Sequence, residues 1–371
     1  MGFESVVGRP RAGVEYPRDG REFERWFVDE ASCAAYLERL RWPEGFVCAR
    51  CGGRRCWLIS TRPERRRCAS CRSEVSLRSG TLLADSRVPL GVWLRAVWLV
   101  SSQKRGISAL DLQRLLGLGS YETAWTMLHK LRRAMRPTSG LLYGVVEIDE
   151  TYIGGPGARS QGRRQANKAI VAIAVEKHEP KGLGRARLER IADVSADTLT
   201  GFVRRNVAPS FPDEHDRLCE TILETDGWHG YDRLAAAGYR HEQISLNQTR
   251  DRKAAHREPP ACHRVAALLK RWLLGTHQGG VNHEQLDAYL DEFVFRFNRR
   301  SSRSIGLRFH RLLTSTLQTL PARTRPSSPH RPTTPRLASR CVKGIAHSLQ
   351  IAEIADVDRV CAPPQGGGSL P

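Results

Sequence analysis

Apolar residues recur at helical spacing near the start of the chain. Phe23, Phe27 and Ala31 open a pattern that continues to Leu40, and this pattern predicts a helix or a helical pair over residues 23–40. Residues 1–22 contain Gly, Pro and Arg with few apolar side chains. Such a composition cannot bury enough apolar surface to offset the entropy of ordering, so we expect a disordered N-terminus.

A second helical pattern covers residues 89–138 and predicts three helices. The first is the apolar Leu90–Ser101, the second begins at Ser108 with a capping-box-like sequence, and the third is Tyr121–Met135. A short glycine-containing turn separates the last two, and the third helix has a polar, basic face. This is the helix-turn-helix pattern of DNA-binding proteins. The candidate DNA contacts on that face are Lys130, Arg132 and Arg133.

From residue 141 to residue 320, short β-rich runs alternate with helical patterns. The predicted strands are Val145–Ile148, Ala169–Glu176, Ala186–Val194, Thr221–Glu224 and Gln243–Leu246. The predicted helices are Ala196–Val207, Tyr231–Ala237, His263–Leu274 and Gln285–Arg300. Three strands followed by helix, strand, helix, strand and helix is the order of a ribonuclease H-like domain. The predicted fold class is therefore α/β, a mixed sheet flanked by helices.

Two carboxylates stand at the ends of the first and fourth predicted strands. Asp149 follows Val145–Ile148, and Asp226 follows Thr221–Glu224. In a ribonuclease H-like sheet these two strands lie side by side, so the two carboxylates would meet. Carboxylate oxygens are the preferred ligands of Mg²⁺ and Mn²⁺. Two such ions about 3.5–4 Å apart can promote phosphoryl transfer on DNA.

Four cysteines form two C-x-x-C motifs. Cys48 and Cys51 are followed, after sixteen residues, by Cys68 and Cys71. This spacing is typical of a structural zinc site with four thiolate ligands and no open position for water. We therefore expect a zinc ribbon, with its helical lead-in, over residues 23–88. Cys56 is expected to lie outside the metal site.

The net charge of the chain indicates what kind of partner it binds. The chain of 371 residues carries 59 Lys and Arg against 39 Asp and Glu, a formal net charge of +20, which favours a polyanionic partner such as nucleic acid.

No apolar run approaches the roughly 18 residues of a spanning helix. Residues 1–20 have no secretory signal pattern, so we expect a cytoplasmic, nucleoid-associated protein. The Pro-, Arg- and Ser-rich residues 321–371 are expected to be disordered.

Several motifs in order resemble those of bacterial insertion-sequence transposases, in the ISXO-like branch that has an N-terminal zinc ribbon and a DDE catalytic domain. The resemblance runs from about Phe23 to about Leu320. It rests on Arg41–Cys48, Ser120–Trp125, Glu147–Gly155, Glu224–Tyr231, Leu269–Gln278 and Leu290–Arg300. It implies a metal-dependent DNA transposase that acts on the ends of its own element, with Asp149 and Asp226 as the first two catalytic carboxylates and metal ligands.

The third catalytic position has two candidates. In the family that this sequence resembles, a Glu or Asn lies near the start of the last core helix, with a Lys after it on the same helix. Here that helix offers His263 and Lys270, and there is no carboxylate between Glu258 and Glu284. Imidazole also binds transition metals. Glu292, on the following helix, is the rival.

Lys270 is also expected to contact phosphate. Further candidate DNA contacts lie at the basic end of the last predicted helix and are Arg296, Arg299 and Arg300.

Two other functions are compatible with these observations. One is a zinc-ribbon and helix-turn-helix DNA-binding protein whose nuclease core has decayed. The other is a structure-selective nuclease that does not join strands. For a transposase, synapsis of two DNA ends predicts at least a dimer.

Overall fold

The computed structural model describes residues 9–137, 140–154, 168–178, 182–212, 218–244, 261–278 and 281–321. The predicted disorder of residues 1–8 and of nearly all of the C-terminal tail falls outside these ranges. So do the last two residues of the predicted strand Gln243–Leu246. No helix in the described ranges is both long and apolar enough to span a bilayer.

The chain begins with two capped helices, α1 (Gly20–Trp26) and α2 (Glu30–Arg41). The side chains of Asp19 and Asp29 accept hydrogen bonds from backbone N–H groups of the first turns and so satisfy donors that the helices leave unpaired.

The prediction of disorder is wrong for residues 9–22. Tyr16 is only 5% exposed, and the backbone carbonyl of Glu15 accepts a hydrogen bond from Tyr36 Oη at 3.0 Å. The segment packs on Gly306, where an added Cβ would lie 1.7 Å from the carbonyl oxygen of Pro17. This packing partner is almost 300 residues away in sequence, so local composition could not show it.

A small three-stranded antiparallel sheet follows, in the order β1 (Cys56–Leu58), β2 (Arg65–Cys68) and β3 (Glu74–Ser76). Its own apolar core consists of few residues, Phe46, Cys48, Cys68 and Val75. A core of this size cannot stabilise a sheet without a further crosslink.

Three helices then form as predicted: α3 (Leu90–Ser102), α4 (Ala109–Leu116) and α5 (Tyr121–Ala134). They share one hydrophobic core with α1, α2 and the last described helix, α9 (Ile305–Gln318). The sequence pattern predicts one catalytic segment over residues 141–320. The structure differs, because α9 buries Phe309, Leu312 and Leu313 in the N-terminal core.

The central sheet contains β4 (Val145–Ile153), β5 (Ala169–His178), β6 (Gly182–Ile191), β9 (Ile222–Thr225) and β10 (Arg240–Gln243). Its order is β10-β9-β4-β5-β6. The strand β4 is antiparallel to β5 and parallel to β9. This mixed sheet flanked by helices confirms the predicted fold class, with the first and fourth strands adjacent. The two-residue strands β7 (Phe211–Pro212) and β8 (Leu218–Cys219) pair separately.

Helices cover both faces of this sheet. Alternate residues of β5 point to opposite faces. Val171 and Ile173 pack with α7 (Ala261–His277) and α8 (Leu286–Asn298). Ala172 and Ala174 pack instead with α6 (Ala196–Asn206). The predicted helix Tyr231–Ala237 is replaced by a 3₁₀ turn, His229–Tyr231, and further turns.

Candidate functional site

The strand pairing aligns the two predicted catalytic aspartates. Val145 pairs with Ile222, and Glu147 pairs with Glu224, on the adjacent parallel strands β4 and β9. The same offset, continued by two residues beyond the last paired residues, would bring Asp149 level with Asp226. Residues in register on neighbouring parallel strands point to the same face and lie about 4.8 Å apart. Asp226 follows the last residue of β9 and is exposed.

The surroundings of Asp149 disfavour the ionised form of its carboxylate. Its side chain is 19% exposed, and burial raises its pKa to about 6. The backbone N–H of Glu150 donates to Asp149 Oδ1 at 2.8 Å and opposes that rise. The charges of Glu150 and Asp226 raise the pKa further, while His263 lowers it. Neighbouring carboxylates that disfavour each other's ionised form are stabilised by a bound cation.

The first turn of α7 is attached to β4 beside this position. Cys262 donates its backbone N–H to Glu147 Oε1 at 2.8 Å and its thiol to the Glu147 carbonyl oxygen at 3.2 Å. The next residue, His263, places Nε2 3.1 Å from Asp149 Oδ2. The structure therefore brings His263 next to Asp149. Asp149 lies in the middle of β4, because this strand continues to Ile153 and does not end at Ile148 as predicted.

Glu147 was not among the predicted site residues. It lies two positions before Asp149 on a strand, so strand alternation places both side chains on the α7 face. The sequence shows this two-residue spacing, but it does not show that Glu147 accepts a hydrogen bond from Cys262 at the start of α7. On the other face, Tyr231 donates its hydroxyl to Glu150 Oε2 at 3.0 Å.

The structure contradicts the prediction of Glu292 as a third catalytic carboxylate. Glu292 is fully buried in α8 and forms ion pairs with Arg132 and Arg296, each at 2.7 Å. Burial alone would raise the pKa of Glu292, but the two guanidinium groups hold it at about 2. Its carboxylate thus joins α8 to α5 rather than facing Asp149.

The same ion pairs change the interpretation of the predicted basic face of α5. Arg132 is 2% exposed, and Lys130 donates to the Ala84 carbonyl oxygen at 2.9 Å. Arg133 is exposed. The prediction of Arg132 as a DNA contact is therefore wrong, because tertiary packing buries its guanidinium. Lys130 is half-buried, and its contact with DNA stays a prediction.

Removal of the Glu292 carboxylate is expected to destabilise the protein strongly. In Glu292→Ala, the buried guanidinium of Arg132 loses its counter-ion, which costs about 3–5 kcal/mol. Asp287→Ala, on the same helix, removes an exposed ion pair with Arg190 and should cost about 0–1 kcal/mol. Urea unfolding of the two variants measures the difference, and equal losses would contradict this role.

The other basic residues that were predicted to contact DNA differ in their exposure and in their partners within the protein. Arg296 is occupied by Glu292 and by the Gln103 carbonyl oxygen, which contradicts its prediction as a DNA contact. The guanidinium of Arg299 lies 4.0 Å from the Phe295 ring centroid, and burial lowers the pKa of Arg299 to about 10. Lys270 and Arg300 are exposed.

The four predicted zinc ligands do converge. Cys48 and Cys71 place their Sγ atoms 3.7 Å apart, and Cys51 and Cys68 place theirs 3.6 Å apart. All four sulfurs lie within 4.8 Å of one another. A tetrahedron with Zn–S bonds of about 2.3 Å has edges of about 3.8 Å. The four thiols therefore fit a structural zinc ion, and Cys56 is not part of this group.

Comparisons with known proteins find matches to the zinc ribbon and to the domain that contains the central sheet. A model of the transposase zinc-ribbon domain matches residues 28–74, and a model of the ISXO2-like transposase domain matches residues 141–298. The chain is also similar to an uncharacterized protein in transposable element ISH50 of Halobacterium salinarum. The two are 25% identical over 282 residues, which cover 73% of this chain and 91% of the relative. The chain therefore combines a transposase zinc-ribbon domain with an ISXO2-like transposase domain.

Proposed function

We propose that this protein cleaves the ends of its own insertion element and joins them to target DNA by metal-dependent phosphoryl transfer. The observation that carries the proposal is the register of β4 and β9, which pairs Glu147 with Glu224 and, continued by two residues, would align Asp149 with Asp226. The raised pKa of Asp149 supports it, because a desolvated carboxylate beside a second one favours a divalent cation.

Asp149 and Asp226 would hold two Mg²⁺ or Mn²⁺ ions. When bound, such ions activate the attacking oxygen and stabilise the leaving oxygen of an in-line displacement. Glu147 holds the first turn of α7 against β4 and thereby sets the position of His263. His263 directs Nε2 at Asp149 Oδ2, and its imidazole could also contribute a ligand to Mn²⁺.

The DNA partner follows from the domains together with the charge of +20. We assign DNA binding to the zinc ribbon and to the helix-turn-helix segment α4–α5, where Arg133 remains exposed. Action on two element ends at once would require at least a dimer on DNA. Such a protein would work in the cytoplasm, at the nucleoid.

A DNA-binding protein with an inactive nuclease core is the second candidate. One observation favours it: the third position is a histidine that pairs with Asp149, where the family that this sequence resembles has Glu or Asn. Without a third carboxylate or amide oxygen, the site has fewer of the hard ligands that Mg²⁺ prefers.

An end-cleavage assay separates the two candidates. The substrate is duplex DNA carrying the inverted repeats that flank the gene, incubated with Mg²⁺ or Mn²⁺. The proposed function predicts cleavage by the parent protein and none by Asp149→Ala. If the parent cleaves no better than this variant with either metal, the second candidate holds. Joined strand-transfer products would distinguish a transposase from a nuclease that only cuts.

A further inference from the structure

The outer side of α4 carries large apolar side chains that the fold leaves in solvent. Leu110 is 44% exposed and Leu115 is 61% exposed. The opposite side of the helix, with Ala109 and Leu112, packs into the N-terminal core. Across the short turn that follows α4, Tyr121 at the start of α5 is 49% exposed. Exposed apolar side chains that cluster, rather than lie singly, indicate a surface for a protein partner.

The same side of α4 also carries one acid and one base. Asp111 and Arg114 are exposed, and the Asp111 carboxylate accepts a hydrogen bond from the Ser108 hydroxyl at 2.7 Å. Among the residues that the structure describes, neither pairs with an opposite charge. This surface is therefore neutral overall, whereas the chain has a net charge of +20. A neutral surface gives phosphate little attraction, and it is where a second, equally positive copy meets the least repulsion.

The four exposed side chains are arranged symmetrically about the middle of the helix. At 3.6 residues per turn, Leu110, Asp111, Arg114 and Leu115 occupy an arc of about 140°. The two leucines lie at the edges of this arc, and the two charges lie nearer its centre. Each pair is equally distant from the midpoint between residues 112 and 113. A twofold axis through that midpoint would therefore bring Leu110 opposite the partner's Leu115, and Asp111 opposite the partner's Arg114.

We propose that two copies of this protein associate through the outer side of α4, with the two helices antiparallel about a twofold axis. Two ion pairs would lie between two leucine pairs, so that the apolar contacts supply affinity and the charges fix the register. Arg133 lies about 18 Å beyond Tyr121 along α5, at 1.5 Å per residue, and stays outside the contact. The proposed function requires two copies on DNA without specifying how they touch, and the surface is inferred from α4 alone.

The size of α4 indicates how strong this association is. The helix has eight residues and is about 12 Å long, so the contact is smaller than the roughly 1,200–2,000 Å² of a stable interface. We therefore expect a reversible dimer that depends on protein concentration. DNA that carries two binding sites would favour it further by raising the local concentration.

Charge reversal on α4 tests the surface. The full-length, zinc-loaded protein is analysed without DNA by sedimentation equilibrium at several concentrations, and the parent should form a reversible dimer. Asp111→Arg and Arg114→Asp each place like charges opposite one another twice, so each should weaken self-association by at least about 100-fold. An equimolar mixture of the two variants should associate within a few-fold of the parent, because opposite charges face each other again. This rescue also requires that both variants fold.

Arg204→Asp is the matched control, because it makes the same change of net charge as Arg114→Asp but lies on α6, which packs on the central sheet. It should self-associate like the parent. A parent that is monomeric at every concentration, single α4 variants that dimerise like the parent, or a mixture that stays monomeric would each overturn the surface. Equal weakening by Arg204→Asp and Arg114→Asp would also overturn it, because net charge alone would then explain the loss. A dimeric parent that fails to cleave DNA with Mg²⁺ or Mn²⁺ would instead reject the proposed function and leave the surface in place.

Discussion

Asp149→Asn is expected to reduce metal-dependent DNA cleavage by at least about 1,000-fold, because a metal ion contributes several kcal/mol and each 1.4 kcal/mol is a factor of ten in rate. Asparagine keeps the size of the side chain and can accept the hydrogen bond from the Glu150 N–H. It lacks the negative charge with which a carboxylate attracts a divalent cation. Single-turnover cleavage of element-end DNA measures the change.

The variant should lose activity without losing stability. Burial disfavours the Asp149 carboxylate, so a neutral amide removes a cost instead of adding one. Asp197→Asn, in the first turn of α6, alters an exposed carboxylate that pairs with Arg233 and should leave cleavage intact. Activity of Asp149→Asn within a few-fold of the parent would show that this carboxylate takes no part in the chemistry.

Loss of zinc is expected to unfold the ribbon while the rest of the chain stays folded. Four-thiolate zinc sites contribute about 10–16 kcal/mol of apparent binding free energy, and the ribbon has only a small apolar core of its own. In Cys68→Ser, bound zinc should fall close to zero. The amides of β1–β3 should then exchange hydrogen rapidly, while those of α3 and β4 remain protected. Zinc analysis and hydrogen exchange measure the two effects.

Cys56→Ser is the matched control for this prediction. Cys56 pairs with Cys68 across β1 and β2, but it lies outside the group of four converging sulfurs. Its variant should keep a full complement of zinc and a protected ribbon. Zinc retention in Cys68→Ser, or zinc loss in Cys56→Ser, would mean that the ligands have been assigned incorrectly.

The sequence predicted the parts of the fold that are recorded in local patterns. The strands around Asp149 and Asp226 showed as short β-branched runs, and their order specified the adjacency of β4 and β9 that the structure confirms. The C-x-x-C spacings likewise identified four thiols that converge. In each case the relevant signal lies within a few residues, or in the order of elements along the chain.

The features that were missed depend on contacts between distant segments. Helical spacing placed Arg132 on the polar face of α5, yet its partner Glu292 lies 160 residues away and draws it into the interior. That contact removed one candidate from the catalytic site and one from the DNA-binding surface. The same holds for α9, whose place in the N-terminal core depends on partners such as Phe23 and Phe27.

The most direct test of the central claim is a change of metal preference at Asp226. In Asp226→Cys, a thiolate replaces the carboxylate oxygen, and thiolates bind softer ions such as Mn²⁺ better than Mg²⁺. If Asp226 contacts the catalytic metal beside Asp149, cleavage by this variant should be lost with Mg²⁺ and partly restored with Mn²⁺. Cleavage with Mg²⁺ at the rate of the parent protein would contradict the account, because Asp226 would then not touch the metal.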